Sequence, residues 1–396
     1  MKYGDGSPLG IWGRFSNFSS LMENRPHICP HISIFLRREI QMSKKHDKEK
    51  MKGSVYYKLR LVIPVMLTVL TAMIVLATSV GAVSVPFLET VKIILKNWGL
   101  LKNISFTEGW ESIIFYVRFP RVVTTVIVGA ALGTSGAVMQ GMFRNPMADP
   151  GILGVSSGAS LGAVIAIYLG VFTKNIFYMP IFASAGALLA AFIVFMLSSR
   201  DSKIPVMNMI LSGMVVSTFL GAITTAILSF IRSDQVKQFL FWTVGNLNGT
   251  RWEDVKIATF PVIICIFVLL FFSRDLNTMM LGEEEAQAVG LNPSRTRKLI
   301  LLFSSILTAA AVSVSGTISF VGLIVPHIMR LLIGPDHRIL IPASALGGAI
   351  FLLLCDLIGR TIVAPGELGV GIITSIIGAP YFLFLLNRAR KEGVTL

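Results

Sequence analysis

Charge is what this sequence has least of. Of 396 residues only 14% are Asp, Glu, Lys or Arg, while 54% are hydrophobic, and the mean hydropathy is +0.74. Soluble domains carry about 25% charged residues, so a water-soluble globule is excluded. Cysteine is scarce as well. Cys29, Cys265 and Cys355 are the three in the chain, too few and too scattered for a disulfide framework. The last two lie in apolar runs and read as small buried hydrophobes. No GxxxxGK[ST] occurs, which excludes an ordinary P-loop for ATP, and neither HExxH nor GxSxG is present. His27, Cys29 and His31 alternate without a fourth partner, which is a weak metal-ligand pattern.

What is there is a series of long apolar runs. They exceed the ~9–11 residues of a transmembrane strand, so the spans are helices. A formal net charge of +14 would by itself suit nucleic acid or anionic lipid. The positions argue otherwise, because the excess lies in the first 60 residues and in short loops, as membrane topology requires. Residues 1–58 read as a basic N-terminal cytoplasmic extension, with Lys44, Lys45, Lys48, Lys50 and Lys52 abutting the first span. The first long apolar run starts too late for an ordinary signal peptide. Residues 1–41 share no pattern with the rest, which makes Met42 or Met51 a candidate start.

The pattern places span one at 61–81 and an external segment at 89–121, with a short surface helix near Phe87–Trp98. Span two follows at 122–143, span three at 151–171, span four at 178–198 and span five within 204–231. Residues 232–256 hold an apolar centre too short to cross, read as a helix near the surface or dipping partly in. Span six is 257–273, and 274–298 is a charged loop. The next run, 299–329, has 31 residues without Lys, Arg, Asp or Glu. One straight helix of that length is about 46 Å, against a core of ~30 Å. It is therefore split at SGTISFVG into spans seven and eight. Spans nine and ten are 339–357 and 368–387. With ten spans, 24 of the 35 lysines and arginines share one side with both termini, which positive-inside favours over nine.

The turn RNPMADPG, 144–151, leads into span three. Asp149 is placed to cap that helix and Pro150 to open it. Gly154, Gly158 and Gly162 recur every four residues, a spacing that lets another helix approach backbone to backbone in lipid. Ionisable groups within spans are few. Asp356 near the end of span nine reads as a partner for Arg360 rather than a proton carrier. Arg118, Arg121 and Arg360 are either interface anchors or a charged rim for an acidic partner or anionic substrate. The loop 274–298 holds Glu283, Glu284 and Glu285, then Arg295, Arg297 and Lys298. It reads as a mixed-charge helix for docking a soluble subunit, or as a solvated linker.

Three stretches then add up to a family: RFPRVVTTVIVGAALGTSGAVMQGMFRNPMADPGILGVSSGASLGAV, MMLGEEEAQAVGLNPSRTRKLILL, and SGTISFVGLIVPHIMRLLIGPDHRILIPASALGGAIFLLLCDLIGRTIVAPGELGVGIITSIIGAPYFLFLL. Over about 55–396 the chain resembles the permease subunits of iron–siderophore and vitamin B12 ABC importers, the FecCD-type, BtuC-like family. The resemblance implies an all-α polytopic membrane protein with ten transmembrane helices, over 59–390, in the BtuC-like type II importer fold. It implies a homodimer in the bacterial cytoplasmic membrane, two cytoplasmic ATP-binding subunits, and an extracytoplasmic substrate-binding protein. The expected cargo is a ferric siderophore, with cobalamin, haem or an oxyanion as alternatives. No cofactor is expected in this chain, since ATP and Mg belong to the partner subunit, and no nucleic acid is implied. Family arginines that meet acids on the binding protein match Arg118, Arg121 and Arg360. The ATPase-coupling segment matches Gly282, Glu283, Glu284, Glu285, Ala286, Ala288 and Gly290. An ion-gradient-driven secondary transporter is the reading from a different class, and it lacks the buried ionisable groups it would need.

Overall fold

The computed structural model describes residues 60–81, 83, 85–97, 99, 106, 109–198 and 206–391. The basic extension 1–58, with His27, Cys29, His31, Met42 and Met51, lies outside them, as do Arg200, Asp201 and Lys203. Among the described residues every regular element is a helix. In chain order these are α1 (Arg60–Ser79), α2 (Phe87–Asn97), α3 (Trp110–Phe143), α4 (Val155–Tyr168) and α5 (Tyr178–Ser198). There follow α6 (Val206–Phe230), α7 (Ser233–Thr243), α8 (Trp252–Phe271), α9 (Ser273–Met279) and α10 (Glu283–Ala288). The last four are α11 (Pro293–Ser315), α12 (Val321–Ile333), α13 (His337–Thr361) and α14 (Val370–Lys391).

Seven of these, α1, α3, α5, α6, α8, α11 and α13, are long and apolar enough to cross a membrane. Three shorter apolar helices, α4, α12 and the Val370–Leu385 part of α14, accompany them. A count of ten spans therefore needs all three short helices. At 14 and 13 residues, α4 and α12 are only about 20 Å long, less than the hydrocarbon core.

Burial sorts the helices. In α3 and α13 most of the membrane-length window is buried, 78% and 72%, whereas in α1 and α6 only 17% is. So α3 and α13 are the centre, and α1 and α6 turn apolar faces such as Val65, Met207 and Phe219 outward. Lipid does not drive apolar helices together as water does, so close backbone contact must help hold the centre. Glycine makes that possible: a Cβ at Gly133 of α3 would stand 2.1 Å from the Ser344 carbonyl oxygen of α13. Cys265 and Cys355 are buried free thiols within this core.

Several boundaries differ from the sequence reading, each for a visible reason. α3 begins at Trp110, so the last twelve residues assigned to an external segment belong to the span. The charges of Arg118 and Arg121 marked a boundary in the sequence; in the fold both are buried inside the helix. Residues Ile113–Arg118 form a π-helical stretch, a widened turn common at functional positions. Asp149 caps a 3₁₀ turn, Pro150–Leu153, by accepting from the Gly151 N–H at 2.7 Å, and does not cap α4. Gly154 ends that turn at φ +73° and directly precedes α4, buried beside Ala190 of α5 and Val216 and Ser217 of α6. Gly158 and Gly162 do face α5, where a Cβ would stand 2.2 Å from Gly186 O and 2.0 Å from Phe182 O. The run 299–329 breaks between Gly316 and Phe320, both at positive φ. There the Thr317 hydroxyl donates to Thr243 O at the end of α7.

Candidate functional site

Arg118, Arg121 and Arg360 come together at one end of the bundle, but not as an exposed rim. They are 7%, 7% and 8% exposed. The Arg121 guanidinium donates from Nε and Nη2 to Asp356 Oδ1 at 3.0 and 2.8 Å, and from Nη1 to Glu367 Oε2 at 2.7 Å. Arg360 Nε stands 3.1 Å from Asp356 Oδ2, off the line of a hydrogen bond, and its Nη2 donates to Ala77 O at 2.9 Å. Asp356, 1% exposed, is thus the shared counter-ion of two arginines from different helices. Among the described residues, Arg118 donates to backbone alone: Thr78 O and Ser79 O at the end of α1, and Val83 O just beyond it. Gly81 leaves room for it, since a Cβ there would lie 2.6 Å from Arg118 Nη2.

The reason for this arrangement is the cost of burial. A guanidinium in a low-dielectric interior needs a carboxylate or several carbonyls, or it does not stay there. Three cations face two carboxylates, so the cluster keeps a formal charge of +1. The three arginines and Glu367 line a cavity of about 240 Å³ with Asn248 and Pro365. A neighbouring cavity of about 660 Å³ shares Asn248, Pro365 and Glu367 and adds Lys237, Phe241 and Asn246. Glu367, Asn246 and Asn248 were not singled out from sequence. The signal for Glu367 was present: Asp356 and Glu367 are the only acids between His337 and Lys391.

The other end of α13 makes a different set of contacts. Asn277 of α9 donates to Asp336 Oδ1 at 2.8 Å, and its Oδ1 accepts from the His337 N–H at 2.9 Å. Burial alone would raise the Asp336 pKa, but the hydrogen bonds from Arg338 and Asn277 hold it down to about 2. Beside this joint sits α10. Glu283, Glu284, Glu285 and Ala288 are exposed and Ala286 is buried. Gly282 precedes the helix, and Gly290 follows at φ +85°, where the Leu291 N–H closes back on Ala286 O at 3.0 Å. Such a left-handed residue after the last turn is the usual glycine helix stop. Glu283 pairs with Arg297 of α11. Leu281 and Val289, 75% and 71% exposed, flank the acidic turn. No cluster of metal-ligating residues occurs among the described residues.

The family model described as the FecCD transport family matches residues 67–388. The chain belongs to the FecCD transport family. It is 46% identical over 280 residues to the cobalamin import system permease protein BtuC of Halobacterium salinarum, covering 71% of this chain and 74% of that one. The hemin transport system permease protein HmuU of Yersinia pestis is 41% identical over 74% of this chain and 88% of its own. The molybdate import system permease protein MolB of Haemophilus influenzae is 34% identical over 83% and 95%. A solved metal-chelate type ABC transporter in an inward-facing conformation aligns at a TM-score of 0.70 and 30% identity, over 83% of this chain and 99% of that chain. This FecCD-family chain is accordingly a multi-pass permease subunit of an ABC importer in the cell membrane. It is not an enzyme, and ATP is hydrolysed on separate subunits.

Proposed function

We propose that this permease imports a ferric siderophore, working as a homodimer with two ATP-binding subunits below and a substrate-binding protein above. Both termini lie in the cytoplasm and ten helices cross, counting the short α4 and α12 and the apolar part of α14. The arginine cluster receives acidic side chains of the binding protein, and α10 with its flanks, Gly282–Gly290, seats on the ATPase. ATP and Mg stay on the partner subunit, and this chain carries no cofactor.

One observation carries the reading. α13 bears Asp356 and Arg360 at one end, and at the other His337 and Asp336, held to α9 just before α10. The 24 steps from Asp336 to Arg360 span about 36 Å at 1.5 Å per residue. A docking event and a nucleotide-driven stroke thus act on opposite ends of one rigid helix, which is how domain-scale switching is transmitted. Siderophore cargo is supported by chelate carriers among the relatives, such as the Fe(3+)-citrate import system permease protein YfmD of Bacillus subtilis. Cobalamin is the second reading, favoured by the 46% identity to BtuC.

The test is uptake in proteoliposomes holding the permease, its ATPase and its binding protein, with radiolabelled ferric siderophore or cobalamin outside and ATP within. ATP-dependent accumulation of the ferric chelate is expected. Accumulation of cobalamin alone replaces the cargo, and accumulation by the permease without ATPase removes the importer mechanism.

A further inference from the structure

We propose that Glu367 is an internal stand-in for a partner's carboxylate. It holds Arg121 in the free permease and yields it when an acidic side chain of the docking protein enters the cavity. The inference rests on the docking role proposed above for the arginines, and it answers a difficulty in that role: a guanidinium already paired inside the protein cannot attract a partner until something lets it go.

The two carboxylates on Arg121 are not equivalent. Asp356 is 1% exposed, sits within α13 and serves Arg360 as well. Its departure would strand two buried cations, which a low-dielectric interior does not tolerate. The Glu367 side chain is 34% exposed and bonds Arg121 once, at 2.7 Å. It stands on the connection 362–369, where residues 362–367 are all exposed. Just beyond, the chain is pinned, with the Leu368 N–H donating to Gly359 O at 3.0 Å and the Gly371 N–H to Gly245 O at 3.2 Å. The part free to swing is therefore Glu367 and the turn before it.

The place it leaves and the place it goes to are both present. Glu367 lines the cavity of about 240 Å³ with Arg118, Arg121 and Arg360, and also the larger one that holds Lys237. With Glu367 withdrawn, the smaller cavity holds three guanidinium groups against Asp356, a formal +2. An incoming carboxylate replaces like with like, so no buried cation is left unpaired at the end of the exchange. An uncharged partner residue offers no replacement and leaves Arg121 with one carboxylate. Discrimination then comes from the unpaired charge in the wrong complex. The displaced carboxylate turns toward the cavity that Lys237 lines, which links docking to a change beside the bundle's mouth.

Two measurements test this. In the full-length permease alone, phenylglyoxal labelling read by peptide mass spectrometry reports access to each arginine. Glu367→Gln and Glu367→Ala should each label Arg121 about fivefold faster than wild type, the loss of one partly exposed ion pair. In the second, the partner substrate-binding protein is titrated onto permease in nanodiscs. Glu367→Gln should tighten binding about fivefold, and Arg121→Gln should weaken it. If both Glu367 variants leave labelling and binding unchanged while Arg121→Gln still weakens binding, the stand-in is overturned and the docking reading survives. Binding indifferent to Arg118→Gln, Arg121→Gln and Arg360→Gln overturns the docking reading itself. Weaker binding by Glu367→Gln overturns the stand-in by making Glu367 a direct contact.

Discussion

The two ends of α13 are built on opposite principles. At the Arg360 end, charges from three segments meet, all but Glu367 buried, and α1 is tied in through its last carbonyls. At the Asp336 end, the adjoining α10 is six residues long, with Ala286 its one buried side chain and three exposed glutamates. The first end holds itself together internally. The second presents apolar tips and acids to whatever lies beyond it. A buried ionic joint is slow to rearrange, because every displaced charge must find a substitute. A short exposed helix has few internal contacts to lose and adapts readily to a partner. The difference suits the docking and coupling roles proposed for the two ends.

That contrast can be broken most forcefully at Asp356. Asp356→Ala should leave Arg121 and Arg360 without their shared counter-ion and cost about 3–5 kcal/mol. Loss of folded protein in a detergent thermal-melt assay is expected, and an unchanged melting temperature would show the joint to be solvated. Next is the contact between α3 and α13. Gly133→Val adds a branched side chain where even a Cβ would stand 2.1 Å from Ser344 O, an overpacking cost of about 1–3 kcal/mol or more, visible as a lower melting temperature. At the other end, Leu281→Asp with Val289→Asp should leave stability within about 0.5 kcal/mol, since both side chains are exposed. The same pair should abolish co-purification of the ATPase, and intact co-purification would separate α10 from that interface.

The smallest effect concerns acid. Asp336 titrates well below the usual carboxylate value because of its bonds from Arg338 and Asn277. Its stabilising contribution is therefore fully present above the unfolded value near pH 4 and is lost as pH falls through about 2. Melting followed from pH 5 to pH 2 should drop less steeply in Asp336→Asn than in wild type, and parallel curves would mean that the joint at α9 does not depend on this charge.

Much of this architecture was legible because charge marks where a chain leaves the membrane. The limits of α5 and α6, the existence of the helices α2 and α7, and the break at Gly316 all follow from uncharged length and turn chemistry. The same rule failed at Arg118 and Arg121. A basic residue reads as a boundary unless its partners are known, and those partners are 235 and 246 residues away for Arg121 and backbone carbonyls for Arg118. Their scarcity on the outward side and the family resemblance both marked the three arginines, whereas Glu367 was marked only by being, with Asp356, one of two acids between His337 and Lys391. Asp149 failed for a local reason: one residue of left-handed backbone at Gly154 separates its turn from α4. Such an insertion leaves the capping pattern intact in the sequence while moving the helix it would cap.

The closeness of α3 to α13 has a mechanical result. Where Gly129 meets Gly348 and Gly133 meets Ser344, main chain rests on main chain with no side-chain cushion between. Two rods clasped this way cannot slide past each other without collision, so they must pivot as a single beam. Any force arriving at the α9 end would then reach the arginines as rotation, with little of it absorbed along the length.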